Sequence, residues 1–178
     1  MGYPKVLGEK LSQHYNNKNI KVYNCAIGGG RTYTGRLWMK RDITGIEADI
    51  VTIMFGHNQK AYKVSEAEDT IGFVADHVNY LEEAAGLMKK APAVIIVTTN
   101  PSALENLWDS MDSYAQGLRD FTAKNKNIML VDFMKYFKAM DRNDYKQKFL
   151  EDTTHPSTNG NNEMAELILK AIIEKEKK

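Results

Sequence analysis

Toward its C-terminal end the chain reads Asp152-Thr153-Thr154-His155-Pro156-Ser157, an aspartate and a histidine three positions apart ahead of an apolar-periodic stretch. A carboxylate bonded to one imidazole nitrogen fixes the tautomer and stabilises the imidazolium that forms when the other nitrogen takes a proton. That is the orienting acid and the general base of a hydrolytic triad. A solvated loop whose aspartate caps the next turn has the same spacing, so the pair needs support from elsewhere, and no nucleophile adjoins it in sequence.

Two further segments supply that support. Asn24-Cys25-Ala26-Ile27-Gly28-Gly29-Gly30-Arg31-Thr32 follows the alternation of Ile20, Val22 and Cys25, which predicts a strand over 20–25. Glycines at a strand end free backbone N–H groups to point into a cleft. A phosphate loop fits poorly, because neither of the two glycine-rich phosphate motifs can be written on these residues; a simple glycine turn stays open. The second segment, Asp49 to Gln59, is a short apolar run that predicts a buried strand and stops in Gly56-His57-Asn58-Gln59. Ligands of open α/β sheets bind outside the carboxyl ends of the strands, so Asn58 can present its amide to a developing oxyanion. His57, beside a glycine, reads more readily as a hydrogen-bonded structural residue than as a base.

Taken together these segments resemble the SGNH hydrolase superfamily, also called the GDSL lipases and esterases. The likeness rests on Asn24 with Gly29, on Gly56-His57-Asn58, and on Asp152 with His155, in the family's order and each after a plausible strand. Within the superfamily, Phe55-Gly56-His57-Asn58 and Arg31-Thr32 are most similar to rhamnogalacturonan acetylesterase-like carbohydrate esterases. The resemblance implies a flavodoxin-like three-layer α/β/α sandwich with a parallel sheet. It also implies ester hydrolysis in which His155 is base then acid, Asp152 orients it, and the Gly29 N–H and Asn58 amide hold the oxyanion. Arg31, His57, Asn100 and Trp38 are the candidate substrate-binding residues. No metal or organic cofactor is implied, and the expected partner is a small-molecule or carbohydrate ester.

One part of the family pattern is absent. The nucleophilic serine belongs to a Gly-Asp-Ser at the end of the first strand, and no Gly-Asp-Ser occurs in this chain, which starts at the helix around Tyr3-Pro4. Gln59 also stands where the family usually has aspartate. The expectation is therefore a single domain over 1–178 lacking its first strand, by truncation or by genuine loss. Ser12, Ser65 and Ser110 fall on helices or exposed faces, and Ser157 lies too near His155. Ser102, after the apolar run Ala93 to Val97, is the best substitute nucleophile. Cys25 is expected to face the sheet as a small buried residue. Without the serine, the chain reads alternatively as a catalytically inactive binding or interaction domain.

The elements that must position these groups alternate along the chain. Helices are predicted over Tyr3 to Tyr15, Glu66 to Lys90, Trp108 to Lys124 and Glu163 to Lys175; strands over 20–25, Asp49 to Phe55, Ala93 to Thr98 and Asn127 to Asp132. That order predicts a parallel sheet whose strand ends bring Gly29, Asn58, Asn100 and the Asp152 to His155 loop to one edge. Tyr33 to Arg41, with Trp38, Arg36, Lys40 and Arg41, could line a sugar site or contribute to the core. The 178 residues are 43% hydrophobic and 26% charged with a formal net charge of +1, so no chain-wide field attracts nucleic acid or an anionic bilayer. Apolar runs fall short of a membrane span, and the expectation is a soluble protein, cytoplasmic or, with a leader upstream, secreted. A single cysteine forms no internal disulfide. A missing first strand would leave an open edge beside 20–25, for which a homodimer is one expected remedy.

Overall fold

The computed structural model describes residues 2–39, 41–42, 46, 48–60, 79, 83 and 93–177. They divide into two compact units, 26–99 with 105–135, and 1–25 with 100–104 and 136–178.

The first of these units is built on a parallel sheet. Strands β1 (Ile50–Ile53), β2 (Ala93–Val97) and β3 (Met129–Val131) lie in the order β1-β2-β3, with Ile53 opposite Ile96 and Ile96 opposite Leu130. Their β-branched, nearly continuous apolar sequences suit strands covered on both faces. Helices α2 (Thr32–Met39) and α3 (His57–Lys60) come before the long helix of this unit in sequence. The long helix, α4 (Trp108–Lys124), turns Tyr114 and Leu118 onto Ile53 and Ile96, while Trp108, Met111 and Ala115 enclose Met134. Gly56, which ends the β1 segment, has a φ of 125°, and a Cβ there would stand 2.7 Å from the Tyr114 ring. Only glycine lets the backbone pass under that ring on its way from β1 to α3.

Polar groups close the carboxyl ends of β2 and β3. Asp132 accepts from Thr98 Oγ1 at 3.0 Å, from Arg119 Nε at 2.6 Å and from the Lys135 N–H at 3.0 Å, and Thr98 Oγ1 in turn accepts from the Met134 N–H. Burial alone would raise the Asp132 carboxyl, but the Arg119 guanidinium and these donors outweigh it and hold the group below its ordinary value.

The second unit is helical. Helix α1 (Tyr3–His14), with Pro4 in its first turn, lies against α7 (Thr158–Glu176). The Tyr3 N–H donates to Asn161 Oδ1 at 2.7 Å, Lys10 pairs with Glu166 at 2.7 Å, and the Tyr15 hydroxyl donates to Glu176 at 2.5 Å. Between them Val6, Leu7, Leu11, Met164, Ile168 and Ile172 are buried. Helix α6 (Arg142–Phe149) is capped by Asp141, whose carboxylate accepts from the Asn143 and Asp144 N–H groups. The chain passes between the units four times, the last within α5 (Phe133–Lys138).

Most predicted elements are present with trimmed ends, and two expectations are corrected. Residues 20–25 form no strand; they are absent from the sheet order, and Val22 and Tyr23 are 45% and 59% exposed. Alternation marks a strand only where a neighbour supplies a ladder and a core covers one face. Cys25, expected to be buried, is exposed for the same reason. The helix predicted over Glu66 to Lys90 lies outside the described residues except at Asn79 and Glu83, both helical. No described helix is long and apolar enough to cross a membrane.

Leu118 is fully buried between α4 and the sheet. Leu118→Ala is expected to lower unfolding free energy by about 2–5 kcal/mol, read from urea denaturation.

Candidate functional site

The Asp152–His155 segment is a tight turn whose ends are tied together. Leu150 and Pro156 form an antiparallel bridge, the Glu151 N–H donates to the His155 carbonyl at 2.9 Å, and the Ser157 N–H donates to the Phe149 carbonyl at 2.9 Å. Inside the turn, Asp152 Oδ1 accepts from the Thr154 and His155 N–H groups, each at 2.7 Å. That leaves Oδ2 for the imidazole, and His155 Nδ1 lies 2.7 Å from it. With Nδ1–H donating to the carboxylate, Nε2 keeps its lone pair and is the basic nitrogen. Asp152 therefore both caps the turn and orients the ring; the two readings open in the sequence are one structure.

Both side chains are exposed, so water competes for every contact. The carboxyl group is nevertheless held down at about 2 from an ordinary 3.8, first by the His155 backbone N–H, then by the imidazole and the Thr154 N–H.

Residues 100–104 belong to the same compact unit and grip this turn from behind. Asn100 is 5% exposed, and its amide nitrogen donates to the Thr154 carbonyl at 3.1 Å, to the Tyr145 hydroxyl at 3.2 Å and to the Pro101 carbonyl at 3.2 Å. An interior anchor thus replaces the expected substrate wall at Asn100. Ser102 is 1% exposed; its Oγ donates to the Thr153 carbonyl at 2.9 Å and accepts from the Leu104 N–H at 3.1 Å. A hydroxyl engaged in both directions and closed to solvent is no nucleophile, which removes the best substitute serine. Tyr145, fully buried, donates to the Pro101 carbonyl at 2.5 Å, and burial raises its phenol against the opposing effect of Asn100. Nothing in the sequence pairs Tyr145 with Asn100, since 45 residues separate them.

The glycine segment and Asn58 meet within the sheet-bearing unit. The Gly30 N–H donates to the Ile27 carbonyl at 2.9 Å, closing a four-residue turn in which Gly29 has a φ of 73°. Glycine takes that positive φ without the strain a side chain would bring, so the residue type sets the backbone there. Asn58, in the first turn of α3, donates one amide hydrogen to the Gly30 carbonyl at 3.0 Å. One bond orients the amide and leaves its second N–H for a ligand. His57 and Arg31 are partly buried on either side of this contact in sequence. On α2, Trp38 and Leu37 are exposed rather than core, and the Arg41 guanidinium sits 4.5 Å from the centre of the Trp38 ring. Arg36 is paired with Glu83 at 2.5 Å. Among the described residues no cluster of three or more histidine, cysteine, aspartate or glutamate side chains could hold a metal ion.

One compact unit thus presents a carboxylate-bound imidazole on a tight turn, and the other a glycine turn tied to an asparagine amide. The profile of the GDSL-like Lipase/Acylhydrolase family matches residues 1–162, and the chain belongs to that family. Three solved structures share its fold. The acetyl xylan esterase AlAXEase superposes with a TM-score of 0.79 at 21% identity, over 96% of this chain and 90% of that one. Axe2, an acetylxylan esterase from Geobacillus stearothermophilus, gives 0.76 at 22% identity, over 97% and 81%. LAE5, an alpha/beta hydrolase enzyme from the metagenome of Lake Arreo, gives 0.71 at 19%, over 96% and 80%. No curated protein matches the chain.

Because the folded Asp152 carboxyl titrates below its ordinary 3.8, the stability it contributes is complete above that value and is lost as pH falls to about 2. Carbon-detected NMR of the Asp152 carboxyl is expected to show a midpoint near 2; a midpoint near 3.8 would mean that the turn's hydrogen bonds are not formed in solution.

Proposed function

We propose that these residues form the base and oxyanion parts of a serine esterase that cleaves acyl esters, acetyl esters of carbohydrates foremost. The observation that carries the proposal is the 2.7 Å contact between His155 Nδ1 and Asp152 Oδ2, fixed by two backbone donors on the other carboxylate oxygen. In this reading a serine hydroxyl attacks the ester carbonyl as its proton passes to His155 Nε2. The imidazolium, stabilised by Asp152, then protonates the departing alcohol oxygen, and a water repeats the cycle to release the acid. The Gly29 N–H and the free Asn58 amide hydrogen stabilise the oxyanion of each tetrahedral intermediate.

Support for a carbohydrate ester comes from Trp38, exposed beside Arg41 one helix after the glycine turn, and from the acetyl xylan esterases among similar structures. An exposed indole stacks on a sugar face, and Arg31 and His57 are the polar groups nearest in sequence to the oxyanion donors. The serine is the part these 178 residues do not supply as Gly-Asp-Ser. That fact, with Ser102 engaged inside the fold, favours a second reading, a binding domain that keeps the site without the chemistry.

The genomic sequence upstream of Met1 separates the two. An in-frame Gly-Asp-Ser one strand before Tyr3 supports the esterase, and an unrelated start supports the binding domain. In a form carrying that serine, His155→Ala is expected to lower kcat/KM on p-nitrophenyl acetate by about 10³-fold or more, and Asn58→Ala by about 10²-fold. In the 178-residue chain itself, His155→Ala and the parent are expected to hydrolyse the ester equally slowly; a clear loss in the variant would show that another serine serves.

A further inference from the structure

The two N–H groups that hold Asp152 belong to two peptide planes, 153–154 and 154–155, and the carbonyl ends of those same planes point to residues 100–103. The Thr154 carbonyl accepts from Asn100 Nδ2, while the N–H of the same plane, that of His155, donates to Asp152. The Thr153 carbonyl accepts from Ser102 Oγ at 2.9 Å and from the Ala103 N–H at 2.8 Å, while its plane's N–H, that of Thr154, donates to Asp152. Each plane is thus gripped at its oxygen and delivers its hydrogen to the carboxylate.

We infer that Asn100 and Ser102 are positioning residues for His155, acting through these two peptide planes and the Asp152 carboxylate. Three features make the arrangement directional. The Asp152–His155 pair is exposed, so burial does not hold it; an exposed ion pair keeps one geometry only if its backbone is already fixed. Asn100 and Ser102 are buried, so their bonds to the two carbonyls are shielded from water. The orientation of the Asn100 amide follows from its partners. Two are carbonyl oxygens, and the third, the Tyr145 hydroxyl, spends its hydrogen on Pro101, so all three accept and only the NH₂ can face them. Hydrogen bonds at both ends of a peptide also polarise it, which strengthens its donation to the carboxylate.

The inference rests on the esterase reading only for what the positioned imidazole does, because the positioning itself is measurable without turnover. The first cause of the depressed Asp152 carboxyl is the His155 N–H, on the plane that Asn100 holds. In the folded 178-residue chain, Asn100→Ala is expected to raise the Asp152 NMR titration midpoint by about one unit. Ser102→Ala should raise it by only a few tenths, since the Ala103 N–H still holds the Thr153 carbonyl. Leu118→Ala, which weakens the other compact unit, should leave it in place and so reports what lost stability alone does. An unmoved midpoint in Asn100→Ala, equal to that of Leu118→Ala, would overturn the inference. If Asn100→Ala does not fold, Ser102→Ala decides in the same way. In the serine-bearing form, Asn100→Ala is expected to lower kcat about tenfold or more with KM little changed. A moved midpoint in the 178-residue chain together with no esterase activity in the serine-bearing form would sink the esterase reading and leave the positioning intact.

Discussion

The site depends on one carboxylate doing two tasks with its two oxygens. Oδ1 of Asp152 closes a turn by accepting two backbone hydrogens, and Oδ2 takes the imidazole. Neither task could be given up without the other, since a rotated carboxylate would release both the turn and the ring. In many buried sites a low dielectric strengthens such a contact. Here exposure denies that help, and geometry takes its place: the bridge at Leu150 and Pro156, the Ser157 cap of α7 and the bonds from residues 100–103 fix the backbone before the side chains meet.

The glycine turn follows a similar logic on a smaller scale. A positive φ at Gly29 lets the Ile27 to Gly30 turn close, and the Gly30 carbonyl then orients the Asn58 amide. Gly56 contributes at the other end of that contact, since its missing side chain leaves room for Tyr114 and lets β1 run into α3. In both cases a turn's backbone conformation aims the polar groups, and at Asp152 the side chains of Asn100 and Ser102 hold that backbone.

How much of this the sequence disclosed varied with the range of the forces involved. The apolar run of β2 and the amphipathic α4 were legible to within a residue or so, because burial patterns are written locally. Helix α6 was missed: Arg142-Asn-Asp-Tyr-Lys-Gln-Lys-Phe has little apolar periodicity, and its signal was the capping Asp141. The start of α7 was placed late because Asn159, Gly160 and Asn161 are poor helix formers. Ser157 caps it there, and Gly160 is required since a Cβ would stand 2.3 Å from the Phe149 carbonyl. Residues 20–25 show the opposite failure, a strand pattern outside the sheet. In the site, the Asp152–His155 pair was readable from its spacing, whereas the reversal of Asn100 and Ser102 from wall and nucleophile to anchors depends on contacts about 50 residues away in sequence.

That the orienting acid and the base share one turn also bears on how such a protein would decay under relaxed selection. A triad assembled from three distant segments loses its internal geometry when any one of them drifts. Here the acid and base carry their own frame, and a substitution that removed or misaligned the nucleophile would leave them undisturbed. An intact pair of this kind therefore speaks for the base half of a site, and the nucleophile has to be found separately. The side chains that report a living enzyme are those whose upkeep only turnover rewards.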